Sequence, residues 1–205
     1  MAIPPHLPES RLPPDVVLPQ GTPAAPWSCP VRAVLWLQRA PSPLPSSSPF
    51  AGRVRALAVG ALVDYLESPV GPYREVLVGQ QLRGALPLVV HVPFIAVDSP
   101  ASVAAGREHW SLPKTLADFD GDLATGDGWS VRVTPRAYGL RFPVRAPLGL
   151  DQGSGRATTR LRGTARLARV EVEVQGLTIG PWLGSGTRHG LVVQGRLTVP
   201  APSAR

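Results

Sequence analysis

The sequence predicts a mainly β domain (α+β), antiparallel and either barrel-like or sandwich-like, with one short helix near residues 99–109. Two observations predict it. Several segments alternate apolar and polar residues with a period of two, most clearly 165–174 and 191–199, which is the pattern of half-buried strands. Glycine or proline punctuates nearly every gap between such segments, as turns require. Hydrophobic residues make up 43 % of the chain and charged residues 17 %, so 205 residues can bury the core of one domain.

Residues 1–30 are rich in proline, from Pro4 to Pro30. Proline fixes φ and removes an amide donor, so an extended arm is expected there and not a helix or a central strand. Residues 31–199 form the expected single domain, and 200–205 a frayed tail. A second proline-serine loop spans 41–49. Strands are expected over 31–37, 53–61, 75–79, 88–97, 129–134, 138–144, 165–174 and 191–199. The helix has its own signals. Ser99 can cap it, Pro100 suits its first turn, and an alanine-rich run follows. Pro113 disfavours helical geometry at Leu112, so the helix should stop before it and Lys114 should open a new segment.

Several function classes lose support at this level. The single cysteine, Cys29, permits no intrachain disulfide and reads as a small apolar residue in or near the first strand. The net charge of +7 raises nucleic-acid binding. However, the arginines are scattered, and the densest group, Arg156 to Arg169, has no aromatic residue among them. A solvated basic face explains them, so no nucleic-acid partner is expected. No apolar run approaches a bilayer span, and the N-terminus has neither a basic nor an apolar leader region. No membrane partner and a cytoplasmic location are therefore expected. Asp118, Asp120 and Asp122 have the spacing that opens a calcium loop, but Leu123 and Trp129 stand where glycine and glutamate belong. That run reads as a solvated acidic turn, and neither metal nor cofactor is expected.

The informative stretch runs from Asp98 to Ala117. It holds Gly106-Arg107-Glu108 at the end of the expected helix, then Pro113-Lys114 before Leu116; upstream lies Tyr73-Arg74-Glu75. Lys114 is also the only lysine among 21 Lys and Arg residues. In order and spacing these motifs resemble those of the acetoacetate decarboxylase family. The resemblance is specific over about residues 71–116, and the β-rich remainder is compatible with it.

The resemblance implies an oligomeric enzyme that joins Lys114 to the carbonyl of a small keto acid as a Schiff base. Decarboxylation of a β-keto acid such as acetoacetate is the default reaction. A primary amine that can lose its proton is needed for that step, and arginine cannot serve. By the same resemblance Glu75 is a candidate general acid/base. Arg107, Glu108, Tyr73 and Arg32 are candidate substrate-binding residues. Two positions depart from the family pattern. Thr115 stands where a second lysine commonly follows the reactive one. A catalytic carboxylate expected about fifteen residues before Glu75 is absent from Ala58-Val59-Gly60. Aldolase or dehydratase chemistry through the same lysine, and a non-catalytic binding protein that keeps the fold, remain open on these grounds.

Overall fold

The computed structural model describes residues 11–46, 48–83, 88–152, 155–177 and 179–203. Among the described residues, ten strands and one helix make up the regular structure. In chain order they are β1 (Trp27–Arg39), β2 (Val54–Tyr65), β3 (Tyr73–Leu82), β4 (Val89–Val97), α1 (Pro100–Trp110), β5 (Lys114–Leu116), β6 (Asp118–Asp120), β7 (Leu123–Gly126), β8 (Trp129–Asp151), β9 (Arg156–Gln175) and β10 (Gly186–Val199). All ten strands belong to one sheet, in the order β5-β4-β3-β2-β1-β10-β9-β8-β7-β6.

The sheet is antiparallel except at β4. That strand pairs in parallel with β5 on one side, and also with β8 through Val89–Gly149 and Val90–Leu150. The β4–β8 contact joins strands far apart in the order, so the sheet curls back on itself. The mainly β expectation holds, and these parallel contacts are additional to it. Two expected strands, 138–144 and 129–134, are one strand, β8. Its register against β9 slips between Tyr138 and Phe142, where Gly139 takes φ +70°. Glycine adopts that left-handed geometry without a Cβ penalty.

The arm ends earlier than expected, because β1 begins at Trp27 and includes Pro30. Pro30 pairs with Arg196 of β10, while β2 pairing starts only at Val31. The Pro30 carbonyl accepts from Leu66 N on the β2 side. In a strand the N–H points the same way as the C=O. The missing donor thus falls past the end of β2, where the ladder has no use for it. Pro4, Pro5 and Pro8 of the arm, and Ala204 and Arg205 of the tail, lie outside the described residues.

Side-chain alternation sorts the core into two clusters. Val76 and Val78 of β3 join Trp36, Phe50, Leu62 and Phe94 in the first. Tyr73 and Leu77 of β3 face the second, with Trp27, Val31, Val63 and Ile95. β4 is buried along its whole length, which is why its sequence reads as continuously apolar. Gly60 belongs to the first side. A Cβ there would overlap the Trp36 indole, whose Nε1 donates to Gln38 Oε1 at 3.1 Å.

Helix α1 forms as its caps dictate. Ser99 accepts from Ser102 N, Pro100 opens the first turn, and Ser111 ends the helix in the left-handed conformation at φ 53°. Gly60→Ala should therefore lower the unfolding free energy by about 1–3 kcal/mol in urea titrations, as overpacking does. An unchanged midpoint would show that the indole does not fill that space.

Candidate active site

Three consecutive elements of the sheet bring the motif residues together. β3 carries Tyr73 and Glu75, β4 carries Ile95, and β5 begins at Lys114, which pairs with Ile95. Lys114 is 4 % exposed and Glu75 2 %. Lys114 Nζ donates to Glu75 Oε2 at 2.7 Å and to Ser102 Oγ at 3.0 Å. It also stands 5.1 Å from the centroid of the Tyr73 ring. Tyr65, at the end of β2, stacks on Tyr73 with centroids 4.3 Å apart and donates to Glu75 Oε1 at 3.2 Å. Burial, followed by the charge of Glu75, pushes both phenols well above their ordinary range. Both therefore keep their protons at neutral pH, and Tyr65 uses its own to donate to Glu75.

Gly106 makes room for this arrangement. A Cβ there would lie 2.6 Å from Lys114 Cδ and 2.7 Å from Cε. Ser102 and Gly106 are four residues apart, so one face of α1 supplies both the hydroxyl and the gap. The next residue, Arg107, holds the lysine's backbone. Its Nε and Nη2 donate to Lys114 O at 2.9 and 2.6 Å. Burial lowers its guanidinium to about 10, which leaves it charged at neutral pH.

Lys114, Glu75, Tyr73 and Tyr65 line one end of a cavity of about 140 Å³. Apart from Thr159, the rest of the wall is built of apolar side chains, indoles and the Cys29 thiol. Leu77, Val90, Val92 and Ile95 come from β3 and β4, Leu148 and Leu150 from β8, and Leu197 and Val199 from β10. Trp27 and Trp110 complete it, edge to face at 5.1 Å. Cys29 is buried in the same wall, and burial raises its thiol further from the thiolate form.

Four sequence expectations change here. Arg32 is exposed on the outer face of β1, because its cavity-side neighbours in the alternation are Val31 and Ala33. Glu108 points outward from α1 and accepts from Thr22 Oγ1 at 2.7 Å, so it holds the arm. Gly60 does not mark an acid missing from the cavity. The cavity side of β2 is occupied by Ala61, Val63 and Tyr65, while position 60 faces Trp36. Thr115 also lies across the strand from its neighbour Lys114. Its hydroxyl donates to Arg11 O at 2.7 Å. His91, buried in β4, stacks on Phe50 with centroids 4.3 Å apart and is not among the residues lining the cavity. Asp118, Asp120 and Asp122 are exposed on and beside the β6–β7 hairpin. Ser102 and Tyr65 are site residues that the sequence reading missed.

A buried lysine amine against a carboxylate, at one end of an apolar chamber in a large curled sheet, defines the class of protein this is. The sequence model of the acetoacetate decarboxylase family matches residues 41–181, well over half of the chain, and the chain belongs to that family. No curated protein matches it in sequence.

Solved structures share the fold. Acetoacetate decarboxylase from Legionella pneumophila subsp. pneumophila str. Philadelphia 1 is 14 % identical, with TM-score 0.55 over 94 % of this chain and 92 % of that one. An acetoacetate decarboxylase-like enzyme from Sphingomonas wittichii RW1 is 10 % identical, with TM-score 0.56 over 90 % and 94 %. The enduracididine biosynthesis enzyme MppR, complexed with the condensation product of pyruvate and imidazole 4-carboxaldehyde, is 11 % identical, with TM-score 0.54 over 89 % and 90 %. At these identities the likeness is one of fold. Gly106→Ala should displace the Lys114 stem and slow any reaction of its amine with a ketone at least tenfold, with circular dichroism unchanged. An unaltered rate would show that the stem adapts in place.

Proposed function

We propose that the protein is an imine-forming lyase in which Lys114 is the nucleophile and Glu75 the general acid/base. The observation that carries this reading is the contact of the only lysine with Glu75 inside an apolar cavity. Glu75 sits on Nζ and takes its proton. The freed amine attacks the carbonyl carbon. The resulting carbinolamine oxygen takes up a proton and leaves as water, which gives an iminium ion. For a β-keto acid, the bond to the carboxylate then breaks and its electron pair moves to the iminium nitrogen. CO₂ departs and an enamine remains. Protonation of the enamine carbon by Glu75 and hydrolysis release the ketone and restore Lys114. One proton from solvent is consumed per turnover. Tyr65 supplies a second hydrogen bond to Glu75, and Arg107 positions Lys114 through its carbonyl.

A second reading, aldol cleavage or dehydration through the same enamine, is favoured by one observation. Among the described residues lining the cavity, Lys114 is the only cation. Arg32 is outside and Arg107 is spent on Lys114 O, so a substrate carboxylate would have only the iminium as its counterion. CO₂ release from acetoacetate and larger β-keto acids separates the two.

Borohydride reduces an imine to a stable secondary amine, and only Lys114 and the N-terminus are primary amines here. Ketone-dependent trapping is expected on the peptide that contains Lys114, and Lys114→Arg should abolish both trapping and turnover with the fold kept. Failure of every carbonyl compound tried to trap at Lys114 would leave a non-catalytic binding protein as the better reading. Glu75→Gln should still trap, while turnover falls about a hundredfold or more. Equal turnover would remove Glu75 from the mechanism.

A further inference from the structure

We propose that the cavity selects a carbonyl compound with an uncharged apolar body of about six carbon atoms. This would exclude small keto acids and keto acids with a second, distal carboxylate. The inference rests on the imine reading and specifies its substrate class. The polar groups of the cavity are gathered at one end, around Lys114, Glu75, Tyr65 and Tyr73. From that end the wall steps along β4, from Ile95 at the level of Lys114 to Val92 and Val90. At Val90, β4 meets Leu150 of β8, so β8 closes the far end.

Beyond Cys29, the side-chain nitrogen and oxygen atoms of the remaining lining residues are engaged by backbone carbonyls. Trp27 Nε1 donates to Pro23 O at 3.0 Å, and Trp110 Nε1 to Pro200 O at 2.8 Å. Thr159 Oγ1 donates to Leu148 O at 2.9 Å. A charged group pushed beyond Lys114 would therefore lose its water and meet no partner, which costs several kcal/mol or more. An alkyl or aryl group would instead gain from leaving water. The volume sets the size. The cavity is about 140 Å³, and an apolar cavity of about 150 Å³ takes benzene. The methyl group of acetoacetate would leave most of that space unfilled.

Neutral methyl ketones test this directly, because they form the imine without turnover. Borohydride trapping at Lys114 would be titrated with acetone, 2-pentanone, 2-heptanone and 2-undecanone, and with 5-oxohexanoate as the charged counterpart. The half-saturating concentration should fall about fourfold per methylene up to roughly 2-heptanone, and then stop falling. 5-Oxohexanoate should need at least a hundredfold more than 2-heptanone. Leu150→Ala should move the break to longer ketones, and Leu150→Phe to shorter ones. Trapping that is independent of chain length, or equal for 5-oxohexanoate and 2-heptanone, would overturn this inference and leave the imine reading standing. Absence of trapping with every ketone would overturn the imine reading, and the inference with it. The unsubstituted protein decides both outcomes even if the Leu150 variants fail to fold.

Discussion

The contact between Lys114 and Glu75 is the constraint around which the rest of the site is arranged. Both side chains are almost fully enclosed, at 5 % and 3 % exposure. Leaving either charge there without the other would cost on the order of 3–5 kcal/mol. The surrounding polar groups answer that cost. Tyr65 occupies the second carboxylate oxygen, Ser102 takes another hydrogen of the ammonium, and the Tyr73 ring faces its charge. Arg107 fixes the backbone from which the lysine extends, and Gly106 leaves the channel through which the stem passes. The 2.7 Å contact places the two groups where a proton can pass directly from one to the other.

The sheet turns that pair into a site by closing around it. β3, β4 and β5 supply the reactive groups, while β8 and β10, at the opposite side of the strand order, supply the leucines that face them. The parallel β4–β8 contact links the two sides. The proline-rich arm then braces the outside of the reactive elements. Arg11 binds Thr115, Thr22 meets Glu108 and His109, and Leu12 and Leu18 pack on the second core cluster. The motif residues Glu108 and Thr115 thus anchor the arm and do not contact the cavity.

What could be read from the sequence was what is local. Helix α1 was visible because Ser99, Pro100 and Pro113 act within a few residues of themselves. Lys114, Glu75 and Tyr73 were visible through motif spacing, and the structure places all three in one cavity. The misplaced residues share one cause. Which face a side chain takes depends on strand register, and one position of slip reverses it. Arg32, Gly60 and Thr115 were each placed by distance along the chain and lie on the face away from the cavity. The far wall was not legible at all, because Leu148, Leu150 and Leu197 reach it only through long-range pairing. Ser102 was within reach, since its spacing of four from Gly106 puts it on the same face of α1.

The lone lysine permits a direct observation of the central claim, that Lys114 is an amine open to a carbonyl carbon within an apolar chamber. Labelling the protein with ¹³C,¹⁵N-lysine gives one side-chain spin system, and a ketone labelled with ¹³C at its carbonyl gives the other partner. The account predicts that mixing them shifts the Lys114 ε-carbon and produces a new iminium carbon signal correlated with the lysine nitrogen. A lysine spectrum unchanged at saturating ketone, with only free carbonyl carbon visible, would contradict it.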